Sequence, residues 1–184
     1  MIPSKTQAIE ILNKYVKLEA NLTHNLYVGY GMQGIAKYLN KSEEEQNLWF
    51  VVGALHDIDI ECYGGKIEDH TIVGEKLLQT ENIDKGIIES IKSHNEILKI
   101  ERTKDLEHAL YSIDGLSGII RAYVLMRPDK DIKAAEAKSV IKKFKDKFFA
   151  AAVSREQISL CEKTLNIEVN KFIEIVFEEI KKCC

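Results

Sequence analysis

The sequence predicts an all-α fold, and three observations support this. Apolar residues recur at helical spacing along almost the whole chain, and no segment shows sustained apolar and polar alternation between hairpin turns. Helix start signals are frequent, since Ser42 is followed three residues later by Glu45, and Ser154 by Gln157. Only 2 prolines interrupt the 184 residues. We therefore expect a helical bundle without a sheet.

The apolar periodicity also predicts where the helices lie. We expect them near residues 4–18, 22–40, 43–57, 69–80, 84–98, 105–126, 134–150, 154–164 and 167–182. Asp84 and Asp105 stand at further N-cap positions, and Pro128 should end the long helix that begins near Asp105. No linker, repeat or low-complexity tract divides the chain, so we predict one domain over residues 1–184.

Charge and composition exclude several classes of partner. The 26 basic and 29 acidic residues give a net charge of -3 and are spread along the chain, which provides no broad basic surface for a nucleic-acid scaffold. Apolar runs such as 48–55 are much shorter than the roughly 20 residues of a membrane helix. The 4 cysteines form no CxxC pair, and the start lacks the apolar core of a secretory signal. We expect a cytoplasmic protein with free thiols and no membrane partner; the pattern predicts no oligomeric state.

The segment GYGMQG, residues 29–34, matches the G-x-G-x-x-G pattern of dinucleotide-binding folds. That function requires a preceding strand, and here the segment continues a predicted helix. Glycine weakens a helix by about 1 kcal/mol relative to alanine, so its presence needs a reason. We interpret these glycines as the place where another helix approaches closely.

Several polar side chains lie on apolar helix faces, where they need partners. His24 shares a helical stripe with Val28, His94 shares one with Ile91, and Asp114 lies on the edge of the apolar face of the long helix. Burying an ionised carboxylate without a partner costs several kcal/mol or more. A bound cation would satisfy all of these groups together.

His56 and Asp57 form an adjacent pair at the end of an apolar helix. The C-terminal end of a helix carries partial negative charge, which favours a cation. Gly53 and Ala54, one turn earlier, leave room for an ion close to the helix. Mixed imidazole and carboxylate ligands suit Fe, Mn, Co, Ni or Zn, with Mg possible if oxygen ligands dominate.

These residues carry a resemblance to a known family. His24 in LTHNLYV, the pair at 56–57 and Asp114 in SIDGLSGII follow the H...HD...D signature, and the sequence resembles the HD-domain metal-dependent phosphohydrolases, which are all-helical. It looks most like small stand-alone bacterial HD proteins. The resemblance implies a metal-site core at about 20–126, a helical extension at 128–184, and hydrolysis of a phosphoester by a metal-activated water. The expected substrate is a nucleotide or another small phosphorylated metabolite.

Two further histidines bear on the number of metal ions. His70 in HTIVG and His94 in SHNE are similar to the extra ligands of HD branches that hold two metals. The resemblance then implies one or two divalent ions. The ligands of the first would be His24, His56, Asp57 and Asp114, and those of the second would be His70, His94 and a bridging Asp57.

The remaining site roles are hypotheses from position in the sequence. Asp57, Asp59 and Lys66 are the catalytic candidates, with Asp59 orienting a water. Lys66 or Arg121 could hold a phosphate oxygen, and Tyr63 could stack on a base or close over the substrate. Two alternatives stay open: a di-iron HD-domain oxygenase, which uses the same six-ligand set, and a sensor that binds a nucleotide or metal without turnover.

The lysine-rich segment 137–149 has the pattern of a solvated amphipathic helix. Its apolar residues, which we expect to face inward, are Val140, Ile141, Phe144 and Phe148. We therefore assign it to the helical extension.

Overall fold

The computed structural model describes residues 1–184 and contains helices but no strands, which confirms the all-α prediction. The helices are α1 (Lys5–Tyr15), α2 (Glu19–Tyr38), α3 (Glu43–Leu55), α4 (Ile72–Thr80), α5 (Lys85–Lys92), α6 (Asp105–Met126), α7 (Ala137–Lys145), α8 (Arg155–Thr164) and α9 (Val169–Cys183), with a 3₁₀ turn at Glu96–Leu98. Each predicted helix is present, but two are about half as long as the periodicity indicated. Helix α5 ends at Lys92 and not near residue 98, so His94 lies in a turn, and α7 covers Ala137–Lys145 and not 134–150.

Local sequence signals set several helix ends. The Ser42 hydroxyl accepts the N–H of Glu45, whose carboxylate accepts the N–H of Ser42, so the predicted capping box at the start of α3 is confirmed. Asp84 caps α5 as expected. Asp105 is instead the first residue of α6 and not its N-cap. The residue before Pro128 adopts an extended conformation and ends α6, as predicted.

Helix α2 lies at the centre of the bundle, where it packs along α3, α6 and α9. One apolar core of 43 buried residues runs from Ala8 in α1 to Ile180 in α9. The extension contributes fully to it, since Phe172 and Phe177 of α9 are among its largest completely buried side chains. Residues after Pro128 therefore complete the core around α2 and α6 and do not form a separate layer.

Helix α6 is long and apolar enough to cross a membrane if only length and composition are considered. It is 22 residues long, and 61% of its most apolar window is buried by the rest of the protein. The core helix of a helical bundle satisfies the same criteria, so this feature is weak evidence for a membrane span.

Helices α2 and α3 approach each other closely at two glycines. A Cβ atom on Gly53 would lie 2.9 Å from the Cα atom of Gly29 and 2.9 Å from the carbonyl oxygen of Val28. These neighbours are backbone atoms and cannot move aside without shifting a helix. Part of the GYGMQG segment thus has the role inferred from the sequence, because it lies inside α2 and admits a second helix.

Helix α7 differs from the expectation at its C-terminal end. Val140 and Phe144 are buried as predicted, but the helix ends at Lys145, and the prediction for Phe148 was wrong because its side chain is 93% exposed. The cause lies in the following loop, where the Arg155 guanidinium donates hydrogen bonds to backbone carbonyls. Their acceptors belong to Phe144, Asp146, Phe149, Ala150 and Val153.

We expect Gly53→Ala to lower the free energy of unfolding by about 1–3 kcal/mol, because the new methyl group overpacks the α2–α3 contact by more than alanine gains in helix propensity. The matched control is Gly118→Ala in α6, whose Cβ would meet a Val153 methyl carbon at an ordinary 3.4 Å. The control should be neutral or stabilising by up to about 1 kcal/mol. Urea unfolding of both variants measures the difference, and equal stabilities would contradict the close-contact interpretation.

Candidate metal centre

Six side chains from separate parts of the chain converge beside the centre of the bundle. They are His24 of α2, His56 and Asp57 at the end of α3, His70 before α4, His94 after α5, and Asp114 of α6. Their potential ligand atoms form three overlapping groups, and within each group all atoms lie within 4.8 Å of one another. The structure therefore brings together all six residues that the sequence proposed as metal ligands.

The first set contains His24, His56, Asp57 and Asp114. His24 Nε2 lies 3.2 Å from His56 Nε2, 3.2 Å from Asp114 Oδ1 and 3.6 Å from Asp57 Oδ2. His56 Nε2 lies 3.5 Å from Asp57 Oδ1 and 3.7 Å from Asp114 Oδ1. Ligands bound to one ion at roughly 2.1 Å are separated by about 3.0 Å in octahedral and 3.4 Å in tetrahedral geometry. The observed separations are close to these values.

The second set shares Asp57 with the first. His70 Nε2 and His94 Nε2 are 3.1 Å apart, and they lie 3.2 Å and 3.3 Å from Asp57 Oδ1. Asp57 Oδ2 is the oxygen that faces His24. One carboxylate thus lies between two groups of imidazoles, which is the position of a bridging ligand.

Each of the four histidines has an acceptor for its Nδ1 proton. The Ser117 hydroxyl, which donates its own proton to the carbonyl of Asp114, lies 2.8 Å from Nδ1 of His24. The other acceptors are the Gly53 carbonyl for His56, the Asp59 carboxylate for His70 and the Ile91 carbonyl for His94, at 2.8, 2.9 and 2.6 Å. These groups fix the Nδ1–H tautomer, so every Nε2 directs a lone pair towards the cluster. Such a donor set fits a cation.

The electrostatics of the cluster also favour positive charge. Burial raises the pKa of Asp57, but His56, His70 and His94 more than offset this and hold the pKa well below its usual range. The pKa of Asp114 is lowered in the same way by His24. Burial lowers the pKa of His56, yet Asp57 and Asp114 raise it to about 9. The carboxylates therefore stay ionised and attract either protons or a metal cation.

The pKa of His70 follows the same balance. Its burial lowers the pKa, and hydrogen bonds to the carboxylates of Asp57 and Asp59 outweigh that effect and raise it to about 10. Protonation and a metal ion compete for the same Nε2 lone pair, so the group that binds a proton most firmly is also a strong candidate ligand.

Two supporting residues were not identified from the sequence. Ser117 fixes the ring of His24, and the buried Asn25 accepts the N–H of Asp57 at 3.3 Å while donating to the carbonyl of Asn21. Their positions in the sequence were the only features that could have indicated them. Asn25 follows His24, and Ser117 lies one helical turn after Asp114. Neither residue type distinguishes a supporting side chain from an ordinary core polar residue.

Asp59 has a position that does not suit the water-orienting role we predicted. It is completely buried, and one oxygen accepts from His70 while the other accepts the N–H groups of Thr71 and Gly74 at 2.7 and 2.8 Å. With both oxygens engaged, it supports His70 from behind and does not face a reacting water.

A cavity of about 380 Å³ borders the cluster. Tyr63 lines it, with its ring centroid 5.3 Å from that of His70, so the structure brings this predicted substrate contact to the site. Lys66 is exposed and is not on the wall of this cavity. Arg121 lines a different cavity, together with Glu19 and other residues of α2 and α6. The structure therefore does not bring Lys66 or Arg121 to the cluster, and neither suits its predicted contact with a phosphate there.

The sequence pattern of the HD domain matches residues 21–140, which is more than half of the chain. The chain belongs to the HD domain family. Proteins of this family are mostly metal-dependent hydrolases, and all six clustered residues of this HD domain lie inside the matched range. No curated protein and no solved structure matches the chain.

We expect Ser117→Ala to weaken binding of a divalent ion by about 10- to 100-fold, because His24 loses the acceptor that fixes its tautomer and ring orientation. The matched control is Ser112→Ala on the same helix, where a buried hydroxyl donates to the carbonyl of Gln157. Mn²⁺ affinity measured by calorimetry should change only in the first variant. Equal affinities for both would show that the Ser117 contact does not support a metal site.

Proposed function

We propose that the protein is a metal-dependent phosphohydrolase that holds two divalent ions and hydrolyses a phosphoester of a nucleotide or another small phosphorylated metabolite. The observation that carries this proposal is the pair of ligand sets joined by Asp57, with four histidine lone pairs and two carboxylates facing one centre. A carboxylate shared by both sets would hold two ions close together, as two-metal hydrolysis needs.

The first ion would be held by His24, His56, Asp57 and Asp114, and the second by His70, His94 and Asp57. Divalent metals supply an activated water and positive charge for the phosphoryl oxygens. The residues themselves keep the imidazoles in one tautomer through fixed acceptors, and Asp57 and Asp114 keep negative charge at the site. Four imidazoles favour Fe, Mn, Co, Ni or Zn over Mg, which prefers oxygen ligands.

The position of the cavity supports a role in binding substrate. Asp57, His70, His94 and Asp114 all lie on its wall, so a phosphate that enters would meet both ligand sets. Tyr63 stands beside His70, and in this proposal its ring would cover the substrate. Water exclusion by this ring would strengthen the electrostatic interactions inside the cavity.

We expect Asp57→Asn to reduce hydrolysis of an aryl phosphate by at least about 1,000-fold, because an amide is a poor bridge between two cations and about 4 kcal/mol of transition-state stabilisation is lost. Removal of metal with a chelator should have a similar effect, and Mn²⁺ should restore activity to the native protein only. The control is Asp69→Asn, which neutralises an exposed carboxylate of the neighbouring loop and should leave the rate unchanged.

Measurements without oxygen separate this function from the two alternatives. Hydrolysis supported by Mn²⁺ under anaerobic conditions is the expected result. Oxygen uptake by the iron-loaded protein with no hydrolysis would instead indicate the di-iron oxygenase. Tight binding of one nucleotide without turnover of any phosphoester would indicate the sensor.

A further inference from the structure

The cavity beside the cluster has an unusual wall for a site that meets phosphate. No lysine or arginine is among its lining residues. Its apolar surface is formed by two tyrosines and three isoleucines, Tyr63, Tyr111, Ile60, Ile67 and Ile97. Apart from the clustered residues themselves, the single charged group on this wall is the carboxylate of Glu96.

The carboxylate of Glu96 forms no ion pair. Its carboxylate accepts a hydrogen bond from the Tyr111 hydroxyl, and burial together with this bond raises the pKa of Tyr111 to about 12. Arg102 stacks on the Tyr111 ring, 3.8 Å from its centroid, and donates to the carbonyl of Ser93. Arg102 therefore neither lines the cavity nor pairs with Glu96.

The amide side chains on the wall are engaged with the protein. Asn95 donates to the carbonyl of His70 and accepts the N–H of Ile97. Gln157 donates to the carbonyl of Tyr111 at 2.7 Å. A substrate with several phosphate groups would consequently find little to bind outside the clustered residues, whereas an aromatic or apolar group would find a matching surface.

The cavity wall carries one carboxylate and no basic side chain outside the clustered residues, and this indicates which substrates fit. Resting on the proposed hydrolase function, we propose that the substrate is a phosphomonoester with one phosphoryl group and an uncharged aromatic or apolar alcohol, and that Glu96 disfavours substrates with additional phosphates. The cluster would take the phosphoryl group, and Tyr63, Tyr111 and the isoleucines would take the alcohol. A second or third phosphate would add negative charge beside Glu96, and no lysine or arginine lines the cavity to bind it.

The reaction is an ordinary hydrolysis. The oxygen of water forms a bond to phosphorus, and the bond between phosphorus and the alcohol oxygen breaks. A proton from water ends on the alcohol oxygen, and the products are inorganic phosphate and the free alcohol. No oxidant, reductant or second substrate is needed.

The test compares phenyl phosphate, adenosine 5′-monophosphate and adenosine 5′-triphosphate as substrates of the full chain, with Mn²⁺ in excess over total phosphate. We expect kcat/KM for the monophosphate to exceed that for the triphosphate by at least about 10-fold. Glu96→Gln, which keeps an acceptor for Tyr111, should raise kcat/KM for the triphosphate about 5-fold relative to the values for the two monoesters.

The matched control is Glu101→Gln, an exposed carboxylate near the cavity in sequence but absent from its wall. It removes the same charge from the protein, and we expect it to change none of the three values. A native preference for the triphosphate, or a monophosphate to triphosphate ratio that Glu96→Gln leaves unchanged, would overturn the proposed substrate class.

A binding measurement separates this inference from the function on which it rests. Calorimetry with phenylphosphonate and methylenediphosphonate, which cannot be hydrolysed at their P–C bonds, should show tighter binding of phenylphosphonate. If phenylphosphonate binds more tightly but no ester is hydrolysed, the proposed hydrolase function is contradicted and the proposed ligand class is supported. If the protein hydrolyses esters but prefers the triphosphate, the proposed function is supported and the proposed ligand class is contradicted. Absence of both binding and hydrolysis would overturn both.

Discussion

The fixed tautomers of four buried or half-buried histidines are the constraint on which the site depends. Each ring gives its Nδ1 proton to an acceptor of the protein, so its Nε2 lone pair faces the other rings and two carboxylates. Lone pairs and carboxylates that face one another repel unless positive charge lies between them. The pKa values of His56 and His70 are raised for the same reason, because a bound proton supplies part of the positive charge that a metal ion would otherwise supply.

The fold meets this constraint by anchoring the two ligand sets differently. His24, His56 and Asp114 lie in or directly after α2, α3 and α6, which pack together in the core, and the close approach of Gly29 and Gly53 sets the distance between the first two helices. His70 and His94 lie in turns next to the short helices α4 and α5. The first set is therefore positioned by core packing, while the second depends on how the connecting segments are held.

Helix periodicity and residue chemistry were sufficient to place most of the helices and to expect His24, His56, Asp57, His94 and Asp114 around a cation. The inclusion of His70 and the division into two ligand sets came from the resemblance to the HD-domain family. His24 and Asp114 lie on faces of regular helices, and His56 and Asp57 follow the end of one, so the helical pattern encodes their direction. His70 and His94 lie in turns, where it does not. Asp59, Lys66 and Arg121 were assigned roles from sequence distance alone, which does not encode direction in a turn or along a helix that runs away from the site. The burial predicted for Phe148 was wrong for a related reason. Arg155 binds the carbonyls of Phe144 and Asp146, which would accept the next backbone N–H groups if α7 continued.

Asp59 holds the turn before α4 in one conformation through its hydrogen bonds. Its carboxylate fixes the ring of His70, the backbone of Thr71 and the backbone of Gly74, so one buried group ties a clustered histidine to the start of α4. Thr71 has a positive φ of 65°, which is costly for a β-branched residue and persists only where surrounding contacts enforce it. A Cβ on Gly74 would lie 3.2 Å from an Asp59 oxygen, so a small residue is needed for that contact. The second ligand set is thus maintained by hydrogen bonds that offset local backbone strain, and binding of a cation by His70 and Asp57 would stabilise the same segment further.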